Sequence, residues 1–141
     1  MTTYAMIDLE TTDTTARTCI LSAGIVFFQI GKNGEMANAK SVYVTPVLQP
    51  QLDAGRRISA STLNFWMQQE SEAKKAVFNE EAKDSISFTI ARLRELDSAD
   101  VVMAHDIDLD LGAIIDFYTQ FAESYDTNPL FHYKKKRDFR S

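Results

Sequence analysis

An α/β domain built on a mixed sheet is the fold class this sequence predicts, on three observations. The first forty-odd residues hold apolar runs separated by turn signals, as an antiparallel meander of three strands would. From residue 59 onward, apolar residues recur three or four apart, the spacing of a buried helix face. One short apolar run, Val101-Val102-Met103-Ala104, interrupts the helical part and reads as a further buried strand. The order strand-strand-strand, helices, strand, helix fits a sheet flanked by helices.

Each element has its own signal. Tyr4 to Glu10 is a short apolar run ending in acids, followed by a Thr-rich turn from Thr11 to Thr15. Cys19 to Ile30 is rich in Ile, Val and Phe and closes on Gly31-Lys32-Asn33-Gly34, a hairpin signal. Ser41 to Val47 reads as a third strand, ended by Pro46 and Pro50. Ser59 or Ser61 can cap a helix carrying Leu63, Phe65 and Trp66, and Ser71 can cap a second through Ala76 and Val77. Ile86, Ile90, Leu93 and Leu96 form the stripe of another helix, and Leu111, Ile114, Ile115, Tyr118 and Phe121 that of a last one.

Composition narrows the function classes. The chain has 141 residues, 45% hydrophobic and 25% charged, which suits one domain spanning 1–141. A domain this size buries about two-thirds of the surface of its unfolded chain and needs no covalent staple. A single cysteine, Cys19, excludes a disulfide framework and a thiolate zinc cluster, and fits a reducing, cytoplasmic setting. No apolar run approaches the roughly 18 residues of a membrane span. A carboxylate at Asp8 comes too early for a secretion signal. The net charge of -5 argues against coating nucleic acid through overall basicity. It leaves room for an enzyme that handles phosphates through metal ions. Basic residues concentrate in Lys134-Lys135-Lys136-Arg137 and Arg140, which is either a solvated tail or a phosphate contact.

The acids carry the chemistry. Asp8 and Glu10 are two apart on an expected strand, so both leave the same face. At a solvated strand end they need no partner, but on a covered sheet two adjacent carboxylates require positive compensation. Hard oxygen donors with no His or Cys beside them favour Mg²⁺ or Mn²⁺ over zinc. A second cluster, Asp106, Asp108 and Asp110, follows the later buried strand. One or two of these suit a helix cap and its dipole, yet three in five residues exceed what a cap requires. If that strand lies beside the first, the clusters meet where α/β sheets bind ligands. Two cations about 4 Å apart would then serve phosphodiester hydrolysis.

Ile7-Asp8-Leu9-Glu10-Thr11-Thr12 resembles the first motif of the DEDD-type 3′-5′ exonucleases, and Ala104-His105-Asp106-Ile107-Asp108-Leu109-Asp110 the second. Arg57-Ile58-Ser59 to Thr62, with Phe65-Trp66, is similar to a helix ending in paired aromatics in one branch. That branch holds phage exonucleases and the mycobacterial-type exoribonuclease domain. Arg137-Asp138-Phe139-Arg140-Ser141 resembles its Arg-Asp-x-Arg-Thr segment.

The resemblance implies a ribonuclease-H-like fold and removal of nucleotides from 3′ ends of RNA or DNA with two Mg²⁺ or Mn²⁺. By motif position, Asp8, Glu10 and Asp110 are the catalytic metal ligands. Thr11, Trp66, Arg137 and Arg140 are the expected substrate contacts. The family's third motif, which supplies a fourth carboxylate and a His or Tyr for the attacking water, has no counterpart here. His132 and Tyr133 do not stand at the family's spacing before Asp138. The expectation is therefore a C-terminally incomplete domain with one metal site better held than the other. Lack of the general base alone costs about 10²–10⁴-fold in rate. An impaired relative that binds nucleic-acid ends or a protein, and an unrelated acidic interaction module, stand as the alternatives.

Overall fold

A computed structural model describes residues 1–122 and 135–138. Five strands, β1 (Thr3–Thr11), β2 (Ile20–Ile30), β3 (Met36–Val44), β4 (Val101–Ala104) and β5 (Lys135–Asp138), form one sheet in the order β3-β2-β1-β4-β5. The first three pair antiparallel, and β1, β4 and β5 run parallel. Among the described residues five α-helices accompany them: α1 (Gln49–Asp53), α2 (Ala60–Met67), α3 (Ser71–Phe78), α4 (Ile86–Arg94) and α5 (Ile107–Ala122). None of the helices among the described residues is long and apolar enough to cross a membrane.

Alternation along β1 decides the layering. Ala5 and Ile7 are fully buried, whereas Asp8 and Glu10 are exposed. Ala23, Ile25 and Phe27 of β2 and Val102 of β4 join the buried face. Against it lie Ile90 and Leu93 of α4 and Leu111, Ile114, Phe117 and Tyr118 of α5, in one core. Each large apolar side chain buried there contributes about 1.5–3 kcal/mol. Of the expected stripes, Ile90 and Leu93 of α4 and Leu111, Ile114 and Tyr118 of α5 are buried in the core, while Ile86, Ile115 and Phe121 pack against it only partly buried.

Several boundaries differ from the sequence reading, for physical reasons. β3 covers 36–44 rather than 41–47, because only Val42 and Val44 of this edge strand reach the core. Pro46 makes only an isolated bridge to Asp84, since it lacks an N–H for the ladder. Ser59 is the cap of α2, its hydroxyl accepting from the Thr62 N–H, while Ser71 is the first residue of α3 rather than its cap. α4 ends at Arg94, and a 3₁₀ turn over Glu95–Ser98 carries Leu96 into the core.

Two elements lay outside the sequence reading. α1 is five residues long, too short to show periodicity, and ends in a Schellman turn. The Gly55 N–H donates to Leu52 O and the Arg56 N–H to Gln51 O, with Gly55 at φ +85°. The buried Gln51 side chain bonds both the N–H and the C=O of Ile20, acting as a neighbour to the start of β2. β5 occupies part of the basic tail, paired residue for residue with β4 from Val101↔Lys135 to Ala104↔Asp138.

Candidate active site

The parallel pairing of β1 with β4 stops at Met6↔Met103. Beyond it β1 continues for Ile7 to Thr11, while β4 ends and the chain turns through His105 and Asp106 into α5. The crevice past the carboxyl end of β4 thus receives Asp8 from one side and the first turn of α5 from the other, while Glu10 lies further along β1. This is where open α/β sheets bind ligands. Asp106 caps α5, its carboxylate accepting from the Leu109 N–H at 3.3 Å and its carbonyl from the Asp110 N–H at 2.9 Å. Asp108 and Asp110 lie in that first turn. The acidic triplet thus divides between capping and the crevice.

Asp110 is pushed up from 3.8 to about 6, first by burial and then by the charges of Asp8 and Asp106, against a smaller pull from His105. Among the described residues, no group of three His, Cys, Asp or Glu is gathered tightly enough to hold an ion as the side chains stand. The donors are hard carboxylate oxygens, the kind that suits Mg²⁺ or Mn²⁺. The buried Cys19 is not part of this chemistry, because burial pushes its thiol up, away from the reactive thiolate.

The loop after β1 is pinned from beneath. The Thr12 hydroxyl donates to Arg57 O at 2.7 Å, and its N–H donates to the Thr18 hydroxyl at 3.0 Å. The Arg56 side chain is fully buried. Its guanidinium donates to Thr18 O (2.7 Å), Ala16 O (2.8 Å), Asp116 (3.0 Å) and Gln120 (2.9 Å), and lies over the Phe117 ring. Asp116, Phe117 and Gln120 belong to α5, so one arginine ties the loop at the end of β1 to the helix that carries Asp110. Neither Thr12 nor Arg56 stood out in the sequence. Burial of an arginine is a property of its neighbours, which no local pattern announces.

A second wall comes from α2. The Ser59 N–H donates to Thr12 O at 2.8 Å, so the start of this helix hangs directly on the end of β1. Between them lies a cleft of about 430 Å³ lined by Glu10, Thr11, Leu21, Ser61, Thr62, Phe65 and Trp66. Glu10 also borders a depression on the open face of the sheet, with Asp8, Ser22, Ser41 and Tyr43. A β-bulge between Glu10 and Thr11 re-aims the strand at this junction. The Thr11 hydroxyl donates to Asp13 O at 3.2 Å.

Of the expected site residues, Asp8, Glu10, Thr11, Trp66 and Asp110 therefore gather around one end of β1. Arg137 takes the register position opposite Met103 in β5, and Arg140 lies outside the described residues. Trp66 is half-buried, edge-on to both Phe65 (5.2 Å) and Phe78 (5.7 Å). Phe65, 55% exposed, offers the freer ring to the cleft. Its exposure depends on how α2 is tilted, which its spacing from Trp66 does not specify.

The 3′-5′ exoribonuclease Rv2179c-like domain family matches residues 3–141. No curated protein sequence is significantly similar to the chain. The fold is similar to that of exonuclease I from E. coli in complex with a dT13 oligonucleotide, at 10% identity and a TM-score of 0.61. The zinc-bound E. coli exonuclease I–ssDNA complex is similar at 9% identity and a TM-score of 0.61. A product-bound exonuclease I gives 11% and 0.60. These matches cover 97–98% of this chain but only 28–30% of exonuclease I, so the chain spans less than a third of that protein's length. At such identity the likeness establishes the ribonuclease-H-like fold.

Proposed function

The chain belongs to the Rv2179c-like 3′-5′ exoribonuclease domain family, and on that premise we propose that it removes nucleotides from 3′ ends by metal-assisted phosphodiester hydrolysis. One observation carries the reading: β1 outruns its parallel partner β4, and the charge of Asp8 acts on Asp110 at the start of α5, with Glu10 two residues further along the same strand. The donor set fits a hard divalent cation, Mg²⁺ or Mn²⁺. Asp8, Asp110 and Glu10 would hold it, and the charge now crowding Asp110 is what a cation would neutralise. Bound there, divalent ions supply the Lewis acidity that activates water and stabilises the leaving 3′ oxygen.

The chain's own residues position the substrate. Thr11 and the α2 residues Ser61 and Thr62 offer polar groups to the sugar of the terminal nucleotide. Phe65 and Trp66 offer aromatic surface to its base, a contact worth about 1–3 kcal/mol per base. Because Glu10 lines this cleft and borders the open-face depression together with Asp8, a nucleotide seated in the cleft presents its phosphodiester beside those carboxylates. Thr12 and Arg56 hold the two walls in register without touching substrate. Arg137 and Arg140, near the same end of the chain, are proposed phosphate contacts.

A second reading, an end-binding relative that cleaves poorly, is favoured by one observation. Three carboxylates are not drawn into a ready cluster among the described residues. A 5′-labelled single-stranded oligonucleotide incubated with Mn²⁺ separates the two. Exonuclease action yields a stepwise ladder that weakens by about 10²–10⁴-fold in Asp8→Asn and in Asp110→Asn, the several kcal/mol attributable to metal-ion catalysis. A ladder that survives both changes overturns the residue assignment. Retention of the labelled strand without shortening selects the second reading.

A further inference from the structure

The structure holds a second cleft that the catalytic reading does not use, about 490 Å³ in volume and lined by Lys74, Lys75, Phe78 and Asn79 of α3 and its end. It adjoins the first cleft through a single side chain. Trp66 lines the nucleotide cleft, and its ring stands 5.7 Å from that of Phe78, nearly perpendicular to it. We propose that this second cleft is an upstream subsite, which binds the backbone and a base of a single-stranded nucleic acid whose 3′ end occupies the first. The proposal rests on the exonuclease reading and extends it to the part of the substrate that is not cleaved.

Three features select this occupant. The first is charge. Among the described residues neither Lys74 nor Lys75 is in an ion pair, and Lys83 reaches the C-terminal part of α3, its Nζ donating to Ala76 O at 3.3 Å. Of the acids nearby, Glu70 stands at the start of α3, Glu72 lies on it, and Glu81 and Asp84 follow it, none of them among the residues that line the cleft. The Glu80 carboxylate is engaged by the N–H groups of Leu48 and Gln49. In a protein of net charge -5, a cleft whose charged lining residues are Lys74 and Lys75 is a place where a polyanion can be drawn in. The second is chemistry: lysines beside an aromatic ring are the pairing that binds single strands without reading sequence. The third is continuity, since Phe65, Trp66 and Phe78 form an unbroken aromatic row from one cleft to the other.

The packing of α3 agrees with a surface that serves a ligand rather than the core. It buries none of its residues, although Phe78 and Val77 are half-buried. A helix kept for packing would place its apolar side chains inside.

The test is a length series. Unlabelled RNA single strands of two, four and eight nucleotides compete with a 5′-fluorescein octamer for the full chain, in Ca²⁺ to suppress cleavage. The upstream subsite requires affinity to rise about tenfold or more between two and eight nucleotides. In Lys74→Gln/Lys75→Gln the gain should largely vanish, with little change for the dinucleotide. The salt slope for the octamer should flatten by about 1–1.5, near 0.7 per lost phosphate contact. Equal affinity for all lengths, or an octamer affinity untouched by the double change, overturns the subsite and leaves the exonuclease reading standing. No measurable affinity for any length removes both.

Discussion

The two walls of the candidate site are built on opposite principles. On one side stands α5, with Ile107, Leu111, Ala113, Ile114, Phe117, Tyr118 and Ala122 all buried against the sheet. On the other stand α2 and α3, which bury no residue at all; a row of aromatic rings joins them to each other, and the Ser59 N–H hangs the start of α2 on Thr12 O. The carboxylates proposed to hold metal sit on the first wall and on β1, where positions are fixed by close packing. The surfaces proposed to hold nucleotides belong to the second, where adjustment is inexpensive. Chemistry needs reacting groups held in place, whereas a substrate that varies in base and advances after each cut needs a wall that yields.

The comparison can be broken by substitution. The largest effect belongs to Arg56→Ala, at the junction of the walls. It leaves Thr18 O, Ala16 O and Asp116 without their shared donor and strips the Phe117 ring of its cover, a loss of about 3–5 kcal/mol of stability. Denaturant unfolding measures it, and a loss below about 1 kcal/mol would show that the walls are not joined there.

Next come the paired changes Leu111→Ala and Phe65→Ala, one on each wall. The buried leucine should cost about 2–5 kcal/mol, while the exposed phenylalanine stays within about 0.5–1 kcal/mol. Phe65→Ala should instead raise KM for a single-stranded substrate about 5–10-fold, the lower part of the range for a stacked base. Equal stability losses would erase the distinction between the walls.

The smallest effect concerns Asp110. Its folded-state value near 6 lies above the ordinary 3.8, so folding favours the protonated form. The stability this group confers is full below about pH 4 and is lost as pH rises through about 6. In metal-free protein, Asp110→Asn should therefore raise Tm at pH 7.5 but not at pH 4. The gain is no more than about 1 kcal/mol once partial exposure is discounted, or a few degrees. Mn²⁺ should reverse the order at pH 7.5 by stabilising only the wild type. A Tm difference identical at both pH values would mean that the crevice does not strain this carboxylate.

Much of this was legible along the chain. The alternation of Ala5 and Ile7 with Asp8, the stripes of α4 and α5, the strand Val101–Ala104 and the cap at Ser59 all follow from periods of two and 3.6 and from capping chemistry. That β4 lies beside β1 was only supposed from the order of elements, and the pairing from Tyr4↔Val101 to Met6↔Met103 bears it out. Local pattern was silent about α1, whose five residues are shorter than any period that could mark them. It was silent about β5 as well, because Lys135 to Arg137 do not alternate and the strand forms by pairing with β4.

The sequence by itself determined the α/β class, the metal-suited carboxylates and the family, since these rest on residue type and short-range spacing. Only the tertiary structure decided how they work together. The register of β1 against β4 sets which acids share a crevice. The burial of Arg56 locks that crevice to α5, and the placement of α2 and α3 joins two clefts through Trp66. Apart from the Trp66–Phe78 contact, those are relations between residues about 40 to 100 positions apart. They are set by how the core closes over the sheet, and no local period records them.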